Sequence, residues 1–200
     1  MTHPDWPAFL AAIVADPDDD TVRLVAADFL DENGHADRAA FIRVQVALAR
    51  LEASGSGDSP EADDLRKRER AFLGPTSVYP HLWAAVECPE LVRMPGSGRT
   101  GSPLAHLRVE GVERLTWQRG FVGGVRCPAA EWLRHGAAVR ARNPVRWVVL
   151  TECGALERDA WYAGLPALRG LSRIICYGGN DQCEWLREWL PGTHLEWFPF

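Results

Sequence analysis

Long hydrophobic runs are missing from this sequence. None approaches the roughly 18 residues that a membrane-spanning helix requires, and the first residues, MTHPDWP, carry neither the basic start nor the apolar core of a secretory signal. A cytoplasmic protein with no membrane contact is the expectation. Lysine is nearly absent: Lys67 is the single lysine among 22 basic residues, the rest being arginine. The net charge is −5, and it is uneven. Residues 1–86 hold 8 basic and 15 acidic side chains, whereas residues 87–200 hold 14 and 12. Neither part is basic enough for sequence-independent nucleic-acid binding, which needs a clustered positive face.

Paired metal ligands are missing as well. The five cysteines (Cys88, Cys127, Cys153, Cys176, Cys183) are odd in number and form no C-x-x-C pair. A structural zinc site needs such pairs at short spacing, so reduced thiols are expected. None of the six histidines forms H-x-x-x-H or H-E-x-x-H, and no G-x-S-x-G elbow offers a serine nucleophile. No cofactor, metal or catalytic residue is therefore expected.

Two stretches imitate ligand loops. Asp16, Asp18 and Asp20 occupy positions one, three and five of a calcium loop, but Thr21 stands where glycine is needed and Ala27 where glutamate is needed. Aspartates ahead of a helix more often cap its free N–H groups. Gly96, Gly98 and Gly101 match G-x-G-x-x-G, yet no strand precedes them and Pro103 discourages a following helix. They read as linker.

What is present is a helical first half. Apolar residues at helical spacing predict helices over 7–15, 21–32, 37–54 and 61–73, with a short apolar run over 82–86 closing the unit. Asp16-Pro17, Asn33-Gly34, the Ser/Gly-rich segment 54–60 and Gly74-Pro75 separate them. Asp64 and Arg68 have the spacing of an i,i+4 pair. Proline and glycine then punctuate residues 87–110, the expected linker.

The second half repeats. Val145, Val148, Leu150 and Cys153 fit L-x-x-L-x-L-x-x-N/C, the leucine-rich-repeat frame. Val122, Val125, Cys127 and Ala130 fit it loosely; Leu171, Ile174 and Cys176 fit its first three positions, with Asn180 one residue late; Leu195, Trp197 and Phe200 give a shortened copy. The equivalent residues Val125, Val148, Ile174 and Leu195 lie 23, 26 and 21 residues apart, inside the period of about 20–29 for such repeats. Helical patterns over 131–142, 158–168 and 182–190 lie between the strands, which implies parallel strands with crossover helices. Residues 114–117 and 121–126 flank Gln118-Arg119-Gly120 as a hairpin that shields the sheet edge. Trp132, Trp161, Trp185 and Trp189 fall at core positions of these helices.

The block DPDDDTVRLVAADFLDENGHADRAAFIRVQ over residues 16–45 closely resembles the repeat-companion domain of bacteria, a planctomycete-type module. Arg23-Leu24-Val25, Ala27-Asp28, Leu30, Glu32, Gly34 and Phe41-Ile42-Arg43-Val44-Gln45 carry the likeness, which covers roughly residues 5–86. Ala26, Phe29, His35 and Ala40 depart from that family's usual tyrosine, tryptophan, aspartate and glutamate. WQRGFVGG (117–124) is similar to the joint where such repeats begin. The resemblance implies a companion to a repeat region and no catalytic activity. It also implies that Arg23, Asp28, Arg43 and Gln45 form a structural polar set tying the helices together.

The expectation is thus a mixed α/β protein: a helical module (1–86), a linker (87–110) and a leucine-rich-repeat-like β/α domain with a parallel sheet and an N-terminal hairpin (111–200). Its expected role is non-catalytic recognition or scaffolding of a protein partner through the strand face, at Trp147, Arg173, Tyr177, His194, Glu196 and Phe198. The frame puts Gly124, Trp147, Arg173 and His194 in one column and Thr151, Tyr177 and Phe198 in another, and Trp, Tyr and Arg favour binding hot spots. Two rivals stand beside it: a regulatory or immunity-like subunit that docks an effector through the acidic helical module, and an enzyme with a dispersed Cys/His site.

Overall fold

The computed structural model describes residues 3–74, 76–92, 115–178 and 185–198. The glycine-rich motif at 96–101, most of the expected linker (93–110), Cys183 and Asn180 lie outside them.

The helices come first. α1 (Trp6–Ala15) carries proline in its first turn. α2 (Asp20–Glu32) begins where Asp19 Oδ1 accepts the backbone N–H of Thr21 at 2.7 Å, so one aspartate of the cluster does cap, as its position before the helix dictates. α3 (Ala36–Ala53) packs on α2, and Arg43 clamps the pair by donating to Asp28 at 2.8 Å and Asp31 at 2.9 Å. α4 (Pro60–Leu73) is capped by Ser59, and α5 (Tyr79–Glu87) follows. Asp64 pairs with Lys67 rather than with Arg68; one turn of helix brings i,i+3 as near as i,i+4.

β1 (Leu115–Gln118) and β2 (Phe121–Pro128) form the antiparallel hairpin. Then come α6 (Ala129–Arg140), β3 (Trp147–Thr151), a short 3-10 turn (Cys153–Ala155), α7 (Arg158–Leu168), β4 (Arg173–Tyr177), α8 (Leu186–Trp189) and β5 (His194–Phe198). The sheet order is β1-β2-β3-β4-β5, parallel from β2 onward. The chain is a mixed α/β protein, helical at first and then alternating strand and helix. Val125, Val148, Ile174 and Leu195 stand side by side across the four parallel strands, because each repeat sends the same frame position to the same height. Their side chains face α6, α7 and α8 and join Trp132, Trp161, Leu165, Leu168 and Leu186 in one core. Ala130 departs from the frame: it is exposed, and Ala129 takes the buried place. Trp189 departs too, exposed at 44 %, and Trp185 is half-buried. Both rings pack on Tyr162, at centroid distances of 5.5 and 4.8 Å. Helical spacing gives direction, not what covers it.

The helices and the sheet share their cores. Phe121 of β2 is buried among α1, α2 and α3, beside Trp6, Ile13 and Ile42. Phe41 and Trp83 of α3 and α5 pack with Trp117 of β1, ring centroids 4.8 to 5.9 Å apart. Gln45 joins the parts by hydrogen bonds, accepting the Gly120 N–H at 2.6 Å and donating to the Trp117 carbonyl at 3.3 Å. The first stretch of the expected linker is packed: Cys88, Leu91 and Val92 are buried, and Asn143 donates to the Glu87 carbonyl at 3.0 Å. At the centre, the buried Arg38 guanidinium donates to the buried Glu87 carboxylate. Its Cζ lies 4.6 Å from the Trp83 ring centre and 4.9 Å from that of Trp117, within cation–π range. Burial pushes the Glu87 carboxyl up and the Arg38 guanidinium down, each opposed by the other's charge.

Asp18 spans the same joint. Its carboxylate accepts from Arg119 of the hairpin turn at 3.1 Å and from Arg146 ahead of β3. The bond from Arg146 is the main cause that holds Asp18 below the ordinary 3.8. A carboxyl depressed on folding stabilises above its unfolded pKa, and that contribution disappears as pH falls through the lower folded value. The stability difference between wild type and Asp18→Asn should therefore be constant near neutrality, begin to shrink below about pH 3.8 and vanish once the pH is below the lower folded value. Urea unfolding at stepped pH measures it. A difference that persists undiminished at pH 2 would remove the pairs from the account.

Candidate functional site

Alternate residues of a strand point to opposite faces, so the positions between the buried frame residues emerge on the far side of the sheet. There the pairing register sets three columns. Gly124, Trp147, Arg173 and His194 form the first; Arg126, Val149, Ile175 and Glu196 the second; Pro128, Thr151, Tyr177 and Phe198 the third, in which the Pro128–Thr151 and Tyr177–Phe198 pairs are in register. The structure thus brings Trp147, Arg173, Tyr177, His194, Glu196 and Phe198 onto one face. Behind it Val148, Leu150, Ile174 and Cys176 are wholly buried. On it every side chain from Arg126 to Phe198 is exposed or half-buried.

The columns are internally organised. The Trp147 indole lies across Gly124: a Cβ there would stand 2.1 Å from the ring. Glycine is what lets the indole lie down on the neighbouring strand. Tyr177 and Phe198 stack with centroids 5.1 Å apart at 18°, and Arg126 stands 5.8 Å over the Tyr177 ring. Arg173 donates to Glu196 at 2.6 Å, and His194 Nε2 stands 3.0 Å from the same carboxylate oxygen. Arg173 beside it holds the Glu196 carboxyl below the usual range, with a smaller contribution from His194. The result is an aromatic column, a middle of Arg126, Val149 and Ile175, and a polar end where Arg173 and His194 meet Glu196.

Arg126, Val149 and Ile175 belong to this face although their residue types do not single them out. Their signal is positional: Val149 lies two residues after Trp147, and Ile175 two after Arg173. Gly124→Val would push the indole off its neighbour. It should change Trp147 emission and halve or worse any binding that depends on a flat ring. Fluorescence of the variant against wild type checks this.

Elsewhere the thiols are enclosed. Cys88, Cys127, Cys153 and Cys176 are buried thiols that form no disulfide with one another. Burial pushes the Cys88 thiol up, while a hydrogen bond with Cys176 lowers Cys153, whose side chain is 1 % exposed. Among the described residues no group of three His, Cys, Asp or Glu side chains could hold a metal ion, and no helix is long and apolar enough to cross a membrane. Of the polar set implied by the resemblance, Arg43, Asp28 and Gln45 make tying hydrogen bonds, whereas Arg23 Nε and Nη1 make none and its guanidinium rests on the Phe121 ring. Asp18, Asp19 and Asp20 are engaged with Arg146, Thr21 and Arg50 respectively. Comparison with protein-family models, with curated proteins and with solved structures found no match to this chain.

Proposed function

We propose that this protein is a non-catalytic recognition or scaffold protein that holds a protein partner on the open strand face of its leucine-rich-repeat-like array. One observation carries this reading: an ordered, solvent-open face whose middle is Val149 and Ile175 and whose flanks are Trp147, Tyr177 and Phe198. Contiguous apolar and aromatic surface rimmed by charge marks interaction sites, and stacked repeats present their strands as extended binding surfaces. Trp147 and the Tyr177–Phe198 stack supply rigid anchors. Arg126 supplies an exposed cation above Tyr177, suited to a partner carboxylate beside apolar side chains.

Trp147→Ala combined with Tyr177→Ala tests the reading. Hot-spot aromatics are worth about 2 kcal/mol each, so the pair should weaken capture by roughly a thousandfold. Both rings point away from the core, so the unfolding free energy should change by only about 1 kcal/mol. Affinity capture from the native host with wild-type and doubly substituted protein, read by mass spectrometry, makes the comparison. Recovery of the same partner by both proteins would place recognition elsewhere.

A further inference from the structure

A second feature lies at the joint, away from the strand face. Between α2, α3, the hairpin turn and the start of β3 is a cleft of about 390 Å³, lined by Asp18, Arg23, Gln45, Glu69, Arg119 and Arg146 among others. Arg23 is its unusual member. The side chain is 2 % exposed, yet neither Nε nor Nη1 meets an acceptor, and no carboxylate forms an ion pair with it among the described residues. Its guanidinium rests on the Phe121 ring at 5.5 Å. A buried guanidinium without a partner is expensive, and arginine forks suit oxyanions in planar, paired geometry.

The neighbours add charge of the same sign. Arg119 and Arg146 reach the place from segments about 100 residues away in sequence and share the single carboxylate of Asp18. Asp20 is held by Arg50 at 3.0 Å and approached by Arg119 at 3.6 Å. Arg66, Glu52 and Glu69 line the cleft as well, so with Arg50 and Asp20 five guanidiniums stand against four carboxylates, an excess of one positive charge. Burial first, then the positive charges of Arg119 and Arg146, bring the Arg23 guanidinium down to about 10, so it remains charged near neutrality.

We infer that this cleft binds a phosphate group, free or as the monoester of a small molecule, with Arg23 at its base and Arg119 and Arg146 at its sides. A phosphate oxyanion meets the excess positive charge and gives Arg23 the acceptors that the protein does not supply. Seated there, it ties α2, the hairpin turn and the approach to β3 together, and Asp18 is its competitor.

The test is thermal unfolding and calorimetric titration of the full chain with inorganic phosphate, with glycerol phosphate, and with sodium chloride at matched ionic strength. Phosphate should raise the unfolding midpoint saturably, and chloride should not. Arg146→Gln should weaken phosphate at least tenfold, and Asp18→Asn should strengthen it several-fold by removing the competing carboxylate. Arg23→Met, which keeps the packing on Phe121, should abolish saturable binding. Tighter binding of the ester identifies a monoester as the ligand; equal binding identifies phosphate itself. Should phosphate act no differently from chloride, or should Arg146→Gln and Asp18→Asn both leave its affinity unchanged, the site does not exist. Those two variants decide the matter even if Arg23→Met fails to fold.

Discussion

Glu87→Leu is expected to destabilise the protein by about 3–5 kcal/mol, the cost of leaving one member of a buried ion pair uncompensated. Arg38 and Glu87 are each 2 % exposed and meet where α3, α5 and β1 converge. Trp83 and Trp117 flank the guanidinium closely, but ring quadrupoles return only a fraction of what a charge loses on leaving water. Arg38 Nε and Nη1 and Glu87 Oε2 have no hydrogen-bond partner, so the pair is incompletely satisfied even in the native state. Its removal as a unit should then be tolerated. Arg38→Met with Glu87→Leu should recover most of the loss, because apolar side chains of similar volume often replace a buried pair without penalty. Equilibrium urea unfolding of the two proteins measures both. A single substitution that costs under 1 kcal/mol, or a double one as damaging as the single, would show that the charges do not interact as the geometry implies.

Gly120→Ala is expected to cost about 2–5 kcal/mol, from two sources that can be separated. Gly120 has φ +86, and a left-handed backbone costs a side chain about 1–2 kcal/mol. A Cβ there would also stand 2.4 Å from Ile42 Cγ1 and 2.8 Å from Ile42 Cα. The second contact is with backbone of α3, which no rotamer change relieves, and forced overlap of this kind costs about 1–3 kcal/mol. The hairpin would lift from α3 and weaken the bond from Gly120 N–H to Gln45. Gly192 is the control, left-handed at φ +83 with nothing within 4 Å; Gly192→Ala should cost the backbone contribution alone. Equal losses in the two variants would mean that the seat of the hairpin on α3 contributes nothing.

Both predictions rest on the joint, which the sequence could not disclose. Arg38 reads as an ordinary polar residue early in a helix, and Glu87 as the first residue of a linker. Their meeting 49 residues apart is a fact of packing. The reach of Asp18 to Arg146, 128 residues away, is another; locally it is one more aspartate before a helix. The cap by Asp19 was legible because it is local.

The strand face was legible for a different reason. Repeats of 21 to 26 residues superpose their frames, so register follows once the frame is aligned, and a period of two then assigns faces. Trp147, Arg173 and His194 could be put in one column on that ground. Arg126, Val149 and Ile175 follow by the same counting, but apolar residue types conceal a solvent face. Trp189 shows where such counting ends: its spacing is that of a buried residue, yet it is largely exposed and meets Tyr162 edge-on.

By itself, then, the sequence determined the elements, their order, the parallel sheet and the face each strand residue takes, because these depend on periodicity, caps and turn residues within a few positions. Only the tertiary structure decided that helices and sheet share their cores, that Arg38 is enclosed with Glu87, and that Arg23 is buried without acceptors at Nε and Nη1 while Arg119 and Arg146 share Asp18. Those outcomes depend on contacts between segments 40 to 130 residues apart, where side-chain packing and desolvation choose the partners and no local pattern records the choice.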